Sequence, residues 1–162
     1  AEVVRDINKY SNNVMAQQLF LTLSLQQQGL GKQGASQEIV NRWWRERVAM
    51  APPLLDNGSG LSREERITPA ALARLLQVMW RSPVMPDLMA SLPVAGQDGT
   101  LRRSQTQSRA HLKTGSLRDV MGVAGYVDGQ DGRRWVLVAI VNHPQATAAR
   151  PVLDAVIDWV GR

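Results

Sequence analysis

Between Asn13 and Gln28 the apolar positions Val14, Met15, Leu19, Phe20, Leu21, Leu23 and Leu25 fall on most faces of a helical projection. A helix that is apolar nearly all round is a buried one. It is entered through Ser11-Asn12-Asn13, whose side chains can accept hydrogen bonds from free helix N–H groups, and it ends at Gly29-Leu30-Gly31. A second helix carries Ile39, Val40, Trp43, Trp44 and Val48 on one side and arginines on the other. Ser36 is its expected cap and Pro52-Pro53 its end. The stretch Asp56 to Ser62 is too rich in glycine to be anything but loop. Thr68-Pro69 then pairs a capping threonine with proline at the first helical position. Leu72, Leu75, Leu76 and Met79 give that third helix a clean apolar stripe, stopped near Ser82-Pro83, and a short helix follows from Pro86 to Leu92.

After Pro93 the period shortens from helical to alternating. Ala95 to Thr100 is loop, His111 to Thr114 is a candidate strand, and Val123–Val127 and Trp135–Val141 flank Asp128-Gly129-Gln130-Asp131-Gly132 as a hairpin with a loop of about five residues. Val152, Leu153, Val156, Ile157 and Val160 form a last helical stripe, with Pro151 tolerated in its first turn. Helices, then three strands, then one helix predict an α+β fold, with helices packed on an antiparallel sheet. No internal repeat or low-complexity segment interrupts it. Trp43, Trp44, Trp80, Trp135 and Trp159 fall mostly at core-type positions, which predicts packing for them in place of a sugar-stacking platform.

Composition narrows the function classes. A chain of 162 residues holds one domain with a real core. No cysteine is present, which excludes disulfides, thiolate metal sites and thiol catalysis. No apolar run is long enough to cross a bilayer, and Ala1 to Asp6 lacks the basic start and apolar stretch of a signal peptide. The formal charge of +5 rests mainly on dispersed arginines with no aromatic residues interleaved. This predicts a solvated surface and no nucleic-acid partner. Lys9, Lys32 and Lys113 are the only lysines, so any catalytic ammonium comes from these three.

Two tripeptides carry candidate chemistry: Ser11-Asn12-Asn13, a Ser-x-Asn at the mouth of the buried helix, and Lys113-Thr114-Gly115 near the end of a strand. Each has a plain structural account, a helix cap for the first and a strand end for the second. Other groups offer less. Gly58-Ser59-Gly60 lacks the spacing and following helix of a nucleophile elbow. His111 and His143 have no acidic partner at metal-ligand spacing, so no metal site is expected, and no cofactor either.

Taken together and in this order, the two tripeptides fit the Ser-x-Asn and Lys-Thr-Gly motifs of serine β-lactamases and penicillin-binding proteins. Four ordered blocks sharpen the likeness: Tyr10 to Ala16, Asn57 to Arg63, Leu92 to Leu101, and Lys113 to Leu117. The chain resembles the class C D-alanyl-D-alanine carboxypeptidases and endopeptidases of the penicillin-binding protein 4 type along essentially its whole length. The resemblance implies the serine β-lactamase/transpeptidase-like fold, with residues 1–162 forming the C-terminal portion of one catalytic domain. It implies acyl transfer, in which a serine attacks the peptide bond between two D-alanines. Lys113 would hold positive potential beside that serine. Ser11 would relay a proton to the departing amine, and Asn13 would fix the amide of the acyl portion. Thr114 and Ser116 would meet the terminal carboxylate, the Ser116 N–H would be half of the oxyanion hole, and Gly115 would let substrate lie against the strand.

The nucleophile's own motif is missing. A Ser-x-x-Lys needs serine three residues before a lysine, and those positions hold Asp6, Gly29 and Ala110. The family's first strands, nucleophile helix and second half of the oxyanion hole are therefore expected from sequence outside this chain. The implied partners are peptidoglycan peptides, β-lactams and the missing N-terminal part of the polypeptide, or a second copy paired through an open sheet edge. The implied location is the periplasm or another exported compartment. The rival expectation is a catalytically inactive fragment or relative that still binds peptidoglycan stem peptides.

Overall fold

The structure is a computed structural model that describes residues 1–162. It opens with a helix the hydrophobic pattern did not predict, α1 (Glu2–Tyr10), whose end is set by Ser11 in the left-handed conformation, φ 54° and ψ 46°. Asn12, and not Ser11, caps α2 (Asn13–Gln28) by accepting the Met15 N–H at 3.1 Å. Gly29 closes that helix at φ 72°. In α3 (Gln33–Arg47) the expected cap is corrected: Lys32 occupies the N-cap and Ser36 lies one turn inside. Ser36 is buried there, and its hydroxyl donates to Ser24 Oγ at 2.9 Å, stitching α3 to α2. The helix also stops at Arg47, well before Pro52-Pro53. Thr68 caps α4 (Pro69–Trp80) as its sequence requires, through the Ala71 N–H at 3.1 Å. A short α5 (Met85–Ser91) follows.

The sheet has three strands in the order β1-β2-β3: Ala110–Leu117, Val120–Asp128 and Arg134–Asn142, each antiparallel to its neighbour. All three run longer than the hydrophobic stretches suggested, and Lys113-Thr114-Gly115 lies within β1, not at its end. Alternation along the strands builds two cores. Leu112, Val123, Val127 and Leu137 pack with Leu153 and Ile157 of α6 (Arg150–Val160). On the other face Tyr126 packs with Leu76 of α4, Met85 of α5 and Leu92. The buried Tyr126 hydroxyl donates to the Leu76 carbonyl at 2.7 Å, and burial pushes its pKa up to about 12. A smaller cluster of Trp44, Val48 and Ala71 joins α3 to α4.

The core expectation for the tryptophans is overturned for four of the five. Trp44 is buried, whereas Trp43, Trp80, Trp135 and Trp159 are exposed. Trp135 begins the outer strand, and Trp80 ends α4 with its ring tilted against Tyr126 at 5.6 Å and Arg134 stacked over it. The Trp80 ring thus caps the Tyr126 core from outside and stays partly in water. No helix is long and apolar enough to cross a membrane.

Candidate active site

The turn between α1 and α2 faces the middle of β1. Successive residues of a strand point to opposite faces, so when Leu112 enters the core against α6, Lys113 must turn the other way. There its Nζ donates to Ser11 Oγ at 2.7 Å and to the Thr114 carbonyl at 2.7 Å. Two of its three donors are thus fixed, and the third is available. Burial pushes the Lys113 ammonium below its ordinary pKa, because a charged amine loses hydration that two neutral acceptors only partly replace. The Ser11 hydroxyl accepts this bond and keeps its own proton to donate.

Thr114 returns to the α6 face, where its hydroxyl shares a 2.7 Å hydrogen bond with the Thr100 hydroxyl. A cavity of about 280 Å³ opens beside them. Ser11, Thr114, Gly115 and Ser116 line it with Thr100 and Ser104, and Arg150 and Asp154 of α6 stand on its wall. Asp154 is already committed, accepting the Ser104 hydroxyl at 2.6 Å and the Gln105 N–H at 3.2 Å. Asn13 opens α2 two residues from Ser11, half-buried, and does not line this cavity. Five of the six sequence-predicted residues therefore converge, four on the cavity and Lys113 through its bond to Ser11, while Asn13 stands beside them.

Sequence reasoning gave no role to Thr100, Ser104, Arg150, Lys9 or Asp98. Lys9 is buried at the end of α1, 9% exposed, and its ammonium meets Asp98 Oδ2 at 2.5 Å. The legible signal is Asp98-Gly99-Thr100, three polar or small residues at the end of a loop that precedes the strand carrying Lys113 by nine residues. No group of three or more histidine and acidic side chains is arranged to hold a metal ion. His111 is half-buried and burial lowers its pKa, whereas His143 is exposed.

The model of the D-Ala-D-Ala carboxypeptidase 3 (S13) family matches residues 1–161. The chain belongs to this family. It is 30% identical to a D-alanyl-D-alanine carboxypeptidase of Actinomadura sp. (strain R39), across 96% of this chain and 31% of that protein. It is 24% identical to a D-alanyl-D-alanine carboxypeptidase of Haemophilus influenzae, across 87% of this chain and 31% of that protein. The chain thus spans about a third of the length of these relatives. Among solved structures, penicillin binding protein 4 from Haemophilus influenzae, complexed with a β-lactam, superposes with a TM-score of 0.82 at 21% identity, over 96% of this chain and 41% of that one. The α+β arrangement of helices on an antiparallel sheet is therefore the family's fold.

Proposed function

We propose that residues 1–162 are the C-terminal portion of the catalytic domain of a serine-type D-Ala-D-Ala carboxypeptidase or endopeptidase acting on peptidoglycan in an exported compartment. The nucleophilic serine and its lysine come from sequence outside these residues. The observation that carries this reading is the 2.7 Å bond from Lys113 to Ser11, which joins the two motifs across 102 residues. A chance Ser-x-Asn and a chance Lys-Thr-Gly have no reason to meet.

In this reading the serine oxygen attacks the carbonyl carbon of the penultimate D-alanine. The C–N bond breaks, the terminal D-alanine leaves with a proton relayed through Ser11, and water later hydrolyses the ester. Lys113 supports the anionic transition state with a charge already desolvated before substrate arrives. Thr114 and Ser116 offer hydroxyls to the terminal carboxylate, Gly115 lets the peptide backbone approach β1, and Asn13 holds the acyl amide.

Intact-mass spectrometry with penicillin tests the proposal. The 162-residue chain alone should form no adduct, and the longer polypeptide should gain one stoichiometrically. Lys113→Ala in the longer polypeptide should slow acylation about a hundredfold or more, the usual effect of losing a ~3 kcal/mol transition-state stabiliser. An adduct on Ser11 or Ser59, or normal acylation by Lys113→Ala, would remove the proposal. A longer polypeptide that binds stem peptides and never acylates would identify an inactive relative.

A further inference from the structure

We propose that the Lys9–Asp98 ion pair is the positioning element of the site, holding the backbone of Ser11 and, through Thr100, the hydroxyl of Thr114. The proposal rests on the reading of Ser11, Lys113 and Thr114 given above. Lys9 is the one buried residue of α1, a helix otherwise exposed or half-buried. A lysine withdrawn from water needs a fixed acceptor, and Asp98 Oδ2 supplies it at 2.5 Å. The other oxygen of that carboxylate accepts the Val94 N–H at 2.7 Å, so Asp98 is held from both sides. Burial raises the Asp98 pKa, and the bonds from Lys9 and Val94 outweigh it, keeping the carboxyl below its ordinary range.

The contact continues along both chains. Gly99 adopts φ 54°, and a Cβ placed there would lie 2.5 Å from the Lys9 carbonyl oxygen. The two backbones therefore touch at the ion pair, and only glycine permits it. One residue on from Gly99, Thr100 bonds Thr114 at 2.7 Å, and two residues on from Lys9, Ser11 accepts from Lys113 at 2.7 Å. Lys113 and Thr114 are adjacent in β1. Three non-covalent links and the chain between them close a ring: Lys9 to Asp98, along the chain to Thr100, across to Thr114 and its neighbour Lys113, and across again to Ser11, two residues from Lys9. Ser11, Thr100 and Thr114 line the cavity and Lys113 bonds Ser11, so the ion pair is the side of the ring that stands apart from the cavity. Its function is to set the distance between the turn and the strand. Asn8, which donates to Ser91 Oγ at 2.8 Å, gives α1 a second anchor outside the ring, so breaking the ion pair shifts the turn without releasing the helix.

The experiment uses the longer polypeptide with its nucleophile. Asp98→Asn and Lys9→Met should each slow penicillin acylation ten- to a hundredfold with the non-covalent dissociation constant changed less than threefold. The double variant should be no slower than the slower single one, because both break one link. Lys9→Arg, which keeps the pair, should restore most of the rate. Thermal unfolding of each variant reports the folded fraction used to normalise the rates. A pair that merely stabilises the fold would lower the melting temperature and leave the normalised acylation rate intact, which would overturn the proposal. If the unsubstituted polypeptide forms no adduct at all, the reading of the site fails. The ring is then judged by the backbone amide resonances of Ser11 and Thr114. They must shift in Asp98→Asn, and unmoved resonances would overturn the positioning role independently.

Discussion

Ser11 occupies a conformation in which glycine is the usual residue. At φ 54° its Cβ crowds the following carbonyl, a cost of about 1–2 kcal/mol for an L-residue. Ala49, just past α3, adopts the same region at φ 56°, so left-handed helix ends are ordinary in this chain. What distinguishes Ser11 is that its hydroxyl is used. Ser11→Gly relieves this strain but, like Ser11→Ala, removes an acceptor of the half-buried Lys113 ammonium, so it should be more stable than Ser11→Ala by about 1 kcal/mol. In the longer polypeptide its acylation should fall as far as in Ser11→Ala. Denaturant midpoints set beside acylation rates check this, and a glycine variant that acylates normally would mean the hydroxyl is idle. Asp158 offers a residue of the opposite kind, structural and outside the cavity lining, one turn along α6 from Asp154. Burial raises its pKa, but the Thr106 hydroxyl and the N–H groups of Gln107 and Ser108, the latter two at 2.8 and 2.9 Å, bring it below the ordinary aspartate value of 3.8. A lowered carboxyl stabilises the fold fully above the unfolded value of 3.8, and that stability is lost as pH falls through the folded value. Asp158→Asn should accordingly flatten the acid limb of a stability–pH curve below about pH 4 while lowering the neutral plateau. An unchanged acid limb would show that other carboxylates govern acid unfolding.

Among the elements, legibility followed how strongly local chemistry dictated structure. α4 was readable because threonine, proline and an apolar stripe agree, and the β2–β3 hairpin because its loop, Gly129 to Arg133, is polar and glycine-rich. α1 was missed because nine residues with Val3-Val4 near the start give weak helical preference, and its docking depends on Lys9 and Asn8 finding partners 89 and 83 residues away. The cap of α3 was misread because Ser36 suits a cap by type, yet its hydroxyl is better used in the buried bond to Ser24. Of the site, the motif residues were readable from type and order, whereas Thr100, Asp98 and Lys9 act only through tertiary contact. Strand pairing hides one further constraint. Gly125 faces Leu112 across the β1–β2 ladder at φ 154°, and a Cβ there would lie 2.1 Å from the His111 carbonyl oxygen. Gly125→Ala should push β1 away from β2 at a cost of about 2–5 kcal/mol. It should also disturb Lys113, one position along the same ladder. Denaturant unfolding with amide exchange across β1 would show both effects. A variant as stable as the parent would mean the strands can separate there without loss.

For the molecule as a whole, the open side of β3 matters most. β3 pairs with β2 alone, leaving the N–H and C=O groups of its other side without a strand, and exposed Trp135 and Trp80 lie at one end of it. Such an edge recruits further strands, so the 162-residue chain by itself should associate with a second copy or with the rest of its polypeptide. Light scattering over a dilution series should report species larger than the monomer. A monomer with a cooperative high-temperature transition would show that this edge is harmless. The ring around the site bears on another matter, the order in which the protein becomes competent as it is made. Its links join residues 14, 89 and 102 positions apart, and contacts of such separation form after local ones. At ribosomal rates of about 5–20 residues per second, Ser11 emerges roughly 5–20 s before Lys113. For most of that interval α1 lacks Ser91 and Asp98 to dock on, and the α1–α2 turn, closed locally by the Ser11 and Asn12 N–H groups on the Ile7 carbonyl, has no strand to face. A nascent chain can thus carry the whole Ser-x-Asn motif and still have no site. The two motifs meet only with the last third of these residues, after most of the helices have been made.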